Sequence, residues 1–192
     1  GAIMKTSKEQ LMPRESEMDL DLDLDLMESP SINALLDCVP HESFSDPHTE
    51  EKFFGPDAME MPSLGWSHFP EVPEEIDLVS RNHRKLKANE EKMLFLKYNY
   101  CRYRLSQLAE AQQRKYSVIR GEEMKLWYDR ASRSRSDLVE ANMALVLAMA
   151  KRTRIPNVDF AEMVSEGNMA LLRSVEKFDV SRGFKFSTYA CR

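Results

Sequence analysis

From Leu94 onward the apolar residues fall at helical spacing. Leu94, Tyr98, Cys101, Leu105 and Leu108 are separated by 4, 3, 4 and 3 positions, which puts them on one face of a helix over roughly 89–114, flanked by Lys and Arg. Gly121 interrupts the pattern; "EEMKLWYDRA" (122–131) predicts the start of another helix, and "SRSRSD" (132–137) reads as a basic, polar joint, so 115–136 is taken as a linker. Asp137 then stands as a cap for "LVEANMALVLAMAKR", whose Leu138, Ala141, Leu145, Ala148 and Met149 share a face. Pro156 breaks the next stretch. Asp159 is placed to cap a helix reaching about Phe178, with Glu162 three residues on at the spacing of a capping box. Gly183 marks a turn, and Ser187 has the position of a cap for a final helix. No convincing strand appears, so residues 81–192 predict an all-α helical bundle.

Residues 1–80 have a different texture. "DLDLDLDL" (19–26) has the period of a strand, but four aspartates on one unpaired face repel each other and favour a solvated segment. Residues 29–39 offer a Ser31 cap and about two helical turns. Six of the nine prolines lie between 40 and 73, where no apolar period survives. The segment is therefore expected to be largely irregular. Phe53, Phe54, Trp66 and Phe69 are too many aromatics for a spacer and are expected to dock, on the helical half or on a partner.

Charge sharpens the division. Residues 1–80 hold 19 acidic and 4 basic residues, a net of −15, whereas 81–192 hold 13 acidic and 23 basic, a net of +10. A basic helical half suits a polyanionic partner, and the acidic half would be repelled by that partner or compete for its site. Cys38, Cys101 and Cys191 show no pairing pattern, as expected in a reducing compartment. No apolar run approaches a membrane span. His41, His48, His68 and His83 have no metal-ligand spacing, the six glycines build no phosphate loop, and no nucleophile–base set can be assembled. The sequence argues against an enzyme and calls for no cofactor.

Two stretches remain for binding. In "FAEMVSEGNMALL" (160–172), Glu162 and Glu166 stand at i, i+4 with Ser165 and Met169 beside them, and Asn168 a turn beyond Val164. This is either a solvated acidic stripe or a docking face for a basic helical partner. Gly167 favours docking, because a mid-helix glycine costs about 1 kcal/mol and a close backbone approach would explain it. In the second stretch Phe178, Phe184, Phe186 and Tyr189 alternate with Lys177, Arg182, Lys185 and Arg192. These rings are either core or a surface on which unpaired bases stack while cations hold the phosphates. Phe186 and one other are expected in the core.

The strings "EGNMALLRSVEKFD" and "RGFKFSTYA", with "LVEANMALVLAMAKR" before them, resemble conserved region 2 of bacterial sigma factors of the housekeeping-like class, from Leu138 to Ala190. "LKANEEKMLFLKYNYCRYRL" (86–105) is similar, more loosely, to region 1.2. The resemblance implies a non-catalytic, cytoplasmic subunit of bacterial RNA polymerase, attached through it to the nucleoid. Its implied partners are the coiled coil of the core polymerase's largest subunit, the non-template strand of a melted −10 promoter element, and an anti-sigma factor. The polymerase contacts it implies are Glu162, Ser165, Glu166, Asn168 and Met169, with Ser165 standing where the family has glutamine. The DNA contacts it implies are Phe178, Asp179, Arg182, Phe184, Thr188 and Tyr189 around a flipped adenine, Lys185 on a phosphate, and Asn142 at a second flipped base. A base must leave the stack to be read in this way.

Cys191 and Arg192 follow "STYA" where the family has a tryptophan wedge, so Arg192 is a substitute stacking or phosphate contact and the sequence looks like a divergent, alternative sigma. The chain is expected to be a fragment ending inside a helix. The competing reading is a helical regulator or decoy that docks on polymerase without opening promoters. The acidic segment would be an intramolecular DNA mimic, a passive tail, or a docking site for a regulator.

Overall fold

The computed structural model describes residues 35–58, 86–153 and 156–190. All regular structure among them is helical: α1 (Thr49–Phe54), α2 (Ala88–Arg114), α3 (Val118–Ala141), α4 (Met143–Arg152), α5 (Phe160–Lys177) and α6 (Phe186–Ala190), with 3-10 turns at Glu42–Ser45 and Val180–Arg182. The expected all-α architecture is present.

The backbone of the fold is the antiparallel pair α2 and α3. The predicted stripe of α2 is buried at Leu94, Tyr98, Cys101 and Leu105. Burial pushes the Cys101 thiol up to about 12, so it behaves as a small apolar side chain. The expected linker over 115–136 is corrected: it shrinks to three residues, and α3 runs unbroken through Gly121 and "SRSRSD". Gln112 makes the tight turn possible. Its amide donates to the Ser117 carbonyl at 2.9 Å and accepts from the Ser117 amide at 3.1 Å, and the Ser117 hydroxyl then accepts from Arg120 N–H to cap α3. The polar appearance of 132–137 conceals a buried stripe of Ala131, Ser134 and Leu138 at spacing 3 and 4. Asp137 is therefore mid-helix, not a cap, and desolvation raises its carboxyl against the pull of Lys97 and Arg133.

The chain breaks instead at Asn142 (φ −110°, ψ 8°), whose side chain donates to the Leu138 carbonyl at 2.8 Å. This break resets the helical phase. The predicted face of Leu138, Ala141, Leu145, Ala148 and Met149 does not persist beyond it: α4 buries Met143, Val146, Leu147 and Ala150, and Met149 is exposed. Asp159 caps α5 as expected, accepting from the Ala161 amide, and α5 buries Val164, Leu171 and Val175. The last helix starts one residue before the expected Ser187 cap, because the Lys185 carbonyl already accepts from Thr188 N–H.

Gly167 has an internal explanation. A Cβ there would stand 2.7 Å from Cγ1 of Val146 on α4, and a β-branched valine has little rotamer freedom to yield. The close neighbour is α4, not a docking partner. Gly167→Ala gains about 1 kcal/mol of helix propensity but meets an overpacking cost of about 1–3 kcal/mol. We expect a net loss in denaturant titration, recovered when Val146→Ala is added.

Residues 35–58 overturn part of the expectation for the acidic segment. They form an arm across α2 and α3 that contributes Leu35, Phe44 and Phe53 to the core. Phe44 meets Tyr100 and Tyr103 at centroid distances of 5.7 and 5.5 Å, and Phe53 meets Tyr100 at 5.8 Å. Phe54 lies beneath the Arg130 guanidinium at 4.1 Å and edge-on to Trp127 at 5.5 Å. Glu50 sits between Arg104 (3.3 Å) and Arg130 (3.9 Å). Phe53 and Phe54 thus dock on the helical half. Trp66, Phe69, the aspartate–leucine repeat and the Ser31 cap lie outside the described residues.

Candidate nucleic-acid interface and docking face

The run after α5 is organised around Phe178. This ring is 1% exposed and caps the end of α5 as the chain leaves it. It packs on Phe95 of α2 at 4.8 Å and on Phe186 at 5.3 Å, with Phe95 and Phe186 themselves 5.2 Å apart. Both Phe178 and Phe186 are therefore core. The expectation of a base contact at Phe178 is corrected, since a ring so enclosed offers no face to a base. What it offers is a floor. Phe184 stands 6.0 Å from it and is 37% exposed, and Tyr189 stands 5.4 Å from it and is half-buried. Two rings are thus held at the surface by edge and tilted contacts with a third.

The loop between them is fixed by hydrogen bonds and one backbone conformation. Asp179 accepts from the Ser181 hydroxyl at 2.6 Å and the Ser181 amide at 3.0 Å, closing the 3-10 turn. The Ser181 hydroxyl is the main cause holding its carboxyl below the usual range, helped by the amide, Arg182 and His41 and opposed by partial desolvation. A lowered carboxyl stabilises the folded loop above the ordinary carboxylate range, and that contribution is lost as pH falls through the lowered value. Gly183 then takes φ 85° with open space around its Cβ position. Its requirement is conformational. The reversal leaves Arg182, Phe184, Lys185 and Thr188 exposed on one short stretch. Arg182 leans towards Asp179 at 3.8 Å yet remains 72% exposed.

Asn142 lies at the α3–α4 break, half-buried, its amide engaged with Leu138. Arg192 lies outside the described residues.

The other candidate face is on α5. Glu162, Ser165, Glu166 and Met169 are exposed together, Met169 by 57%; at 100° per residue they fall within one third of the helix circumference. Asn168 is not among them. It projects on the side of Val164, Leu171 and Val175, and its Oδ1 is buried. Behind the acidic stripe an apolar groove of about 320 Å3 separates α4 from α5, lined by Val146, Met149, Met163 and Leu171 and closed by Ala190.

Sequence reasoning passed over two residues that support the aromatic loop. Phe95 neighbours the predicted α2 stripe and carries the floor ring. Arg102, which the sequence reading did not single out among the flanking Lys and Arg, is 1% exposed. The signal for Phe95 was available, since Leu94–Phe95–Leu96 is apolar on every side of the helix; a lone arginine gives no such signal. Among the described residues no group of histidine, cysteine and carboxylate side chains has the arrangement of a metal site, and no helix is long and apolar enough to cross a membrane.

Residues 138–192 match the family Sigma-70 region 2. The match takes in α4, α5, the aromatic loop and α6, so this segment is similar to that family's region 2. It begins after α2 and most of α3.

Proposed function

We propose that this chain is a sigma factor that docks on core RNA polymerase through the exposed stripe of α5 and captures the non-template strand of a melted −10 element on the loop after it. The observation that carries this reading is the pair of rings at the surface, Phe184 and Tyr189, set over a buried aromatic floor with Arg182, Lys185 and Thr188 exposed beside them. That is the arrangement unpaired bases need, with faces to stack on and cations for the phosphates. Glu162 and Glu166 supply the negative charge that a basic coiled coil would meet. Such a protein works without catalysis, in a bacterial cytoplasm on the nucleoid. An anti-sigma factor competing for the α5 stripe is a further candidate partner.

The direct measurement is binding to core RNA polymerase. Glu166→Arg is expected to weaken it at least about tenfold, or about 1.4 kcal/mol, since it replaces an attraction by a repulsion on an exposed face. Affinity unchanged by that reversal would move the contact off this stripe. Strand capture is tested separately. With core enzyme present, Tyr189→Ala is expected to lower affinity for a −10-type single strand by about 1–3 kcal/mol, the worth of one stacked base. A wild-type complex that assembles and ignores the strand would favour the decoy.

A further inference from the structure

We infer that Arg102 is a positioning residue for base capture, clamping the arm and the C-terminal turn of α5, from which the strand-reading loop departs, to α2 at a single point. One guanidinium nitrogen donates to the Glu176 carbonyl at 2.8 Å and to Asn99 Oδ1 at 3.0 Å. The other donates to the Asp37 carbonyl of the arm. The cation also stacks over Tyr98 at 4.9 Å. Asn99 completes the clamp: its Oδ1 accepts from Val39 N–H at 3.0 Å and its amide donates to the Phe95 carbonyl.

Three features make this more than packing. Glu176 lies in the last turn of α5, where carbonyls lack helical partners and the helix end favours a cation; two residues later the chain becomes Phe178 and Asp179. The acceptors named are two backbone carbonyls and an amide oxygen from three separate segments, and only a planar fork spans them together. Burying a charged group is unfavourable, and an apolar side chain of similar volume would fill the space with less penalty. The charge is there for what it holds. None of the partners named above is a candidate base contact, so the clamp acts through the exit direction of α5 and hence the placement of the Phe178 floor.

This inference rests on the strand-capture reading, and the test separates the two. The full chain is bound to core RNA polymerase and titrated with a labelled −10-type single strand, then with the same strand made abasic at its adenine. The wild type is expected to prefer the intact strand by about tenfold or more. Arg102→Met is expected to bring that preference below about threefold while the salt dependence, which reports phosphate contacts, stays unchanged, and amides 178–183 should exchange faster. Arg102→Lys should fall between. Loss of stability alone would not move the ratio below the melting temperature. If Arg102→Met does not fold, the lysine variant decides. Variants that keep the wild-type ratio overturn the inference. A wild type with no preference for the intact strand overturns the capture reading, and this inference with it.

Discussion

Phe178→Ala is expected to lower stability by about 3–5 kcal/mol, the range for removing a fully enclosed aromatic ring. The ring touches Phe95, Phe184, Phe186 and Tyr189, so its loss opens a cavity that none of these can fill without leaving its own contacts. Against a total stability of about 5–15 kcal/mol for an ordinary domain, that is a large share. Phe184→Ala provides the contrast, because its ring stands at the rim and is 37% exposed. There we expect a stability change below about 1 kcal/mol with a clear loss of single-strand affinity. Urea unfolding of both variants decides the matter. Equal and small stability losses would mean that Phe178 is not the floor and that the loop is held some other way.

Truncation at two points is the second large effect. Removing residues 1–34 leaves every described arm contact in place, while removing residues 1–58 strips Leu35, Phe44 and Phe53 from the core. At about 1.5–3 kcal/mol for each buried side chain of this kind, the longer truncation should cost on the order of 5 kcal/mol and lower the melting temperature sharply. The shorter one should leave it nearly unchanged. DNA affinity is informative only for the shorter form: a rise there would support inhibition by the acidic segment, and no change would reject it for those residues. Removing residues 1–80 as a block, or working with 81–192 alone, would confound inhibition with unfolding. Equal melting temperatures for the two truncations would refute the docked arm.

Much of the helical frame was legible because long periodic stripes override local detail. The α2 face from Leu94 to Leu105 needed no structure to find, and Asp159 announced α5 by its chemistry. The errors share a cause. Gly121 and "SRSRSD" look like breakers because serine and arginine are polar, yet Ala131, Ser134 and Leu138 keep the helical spacing that burial requires. Asn142 looks harmless inside an apolar run, and its side chain breaks that run by taking the Leu138 carbonyl. In the candidate site, the exposed members (Arg182, Phe184, Lys185 and Thr188) follow from their placement around the turn at Gly183. Whether Phe178 faces a base or the core depends on Phe95, more than eighty positions away, and no local pattern carries that information. The arm was hidden for the same reason: its apolar residues are few and aperiodic, and they become a face only against Tyr100, Tyr103 and Trp127.

The carboxylate of Glu50 has a consequence for how a polyanion arrives. Arg104 and Arg130 are each 27% exposed, share that carboxylate, and lie over the rings of Trp127 and Phe54. Two guanidiniums thus share one carboxylate within the molecule, so this patch of the α2–α3 surface attracts a polyanion less than its cation count suggests. On the strand-capture reading proposed above, the exposed Arg182 and Lys185 of the loop would meet an approaching strand in preference to the arginines that Glu50 already holds.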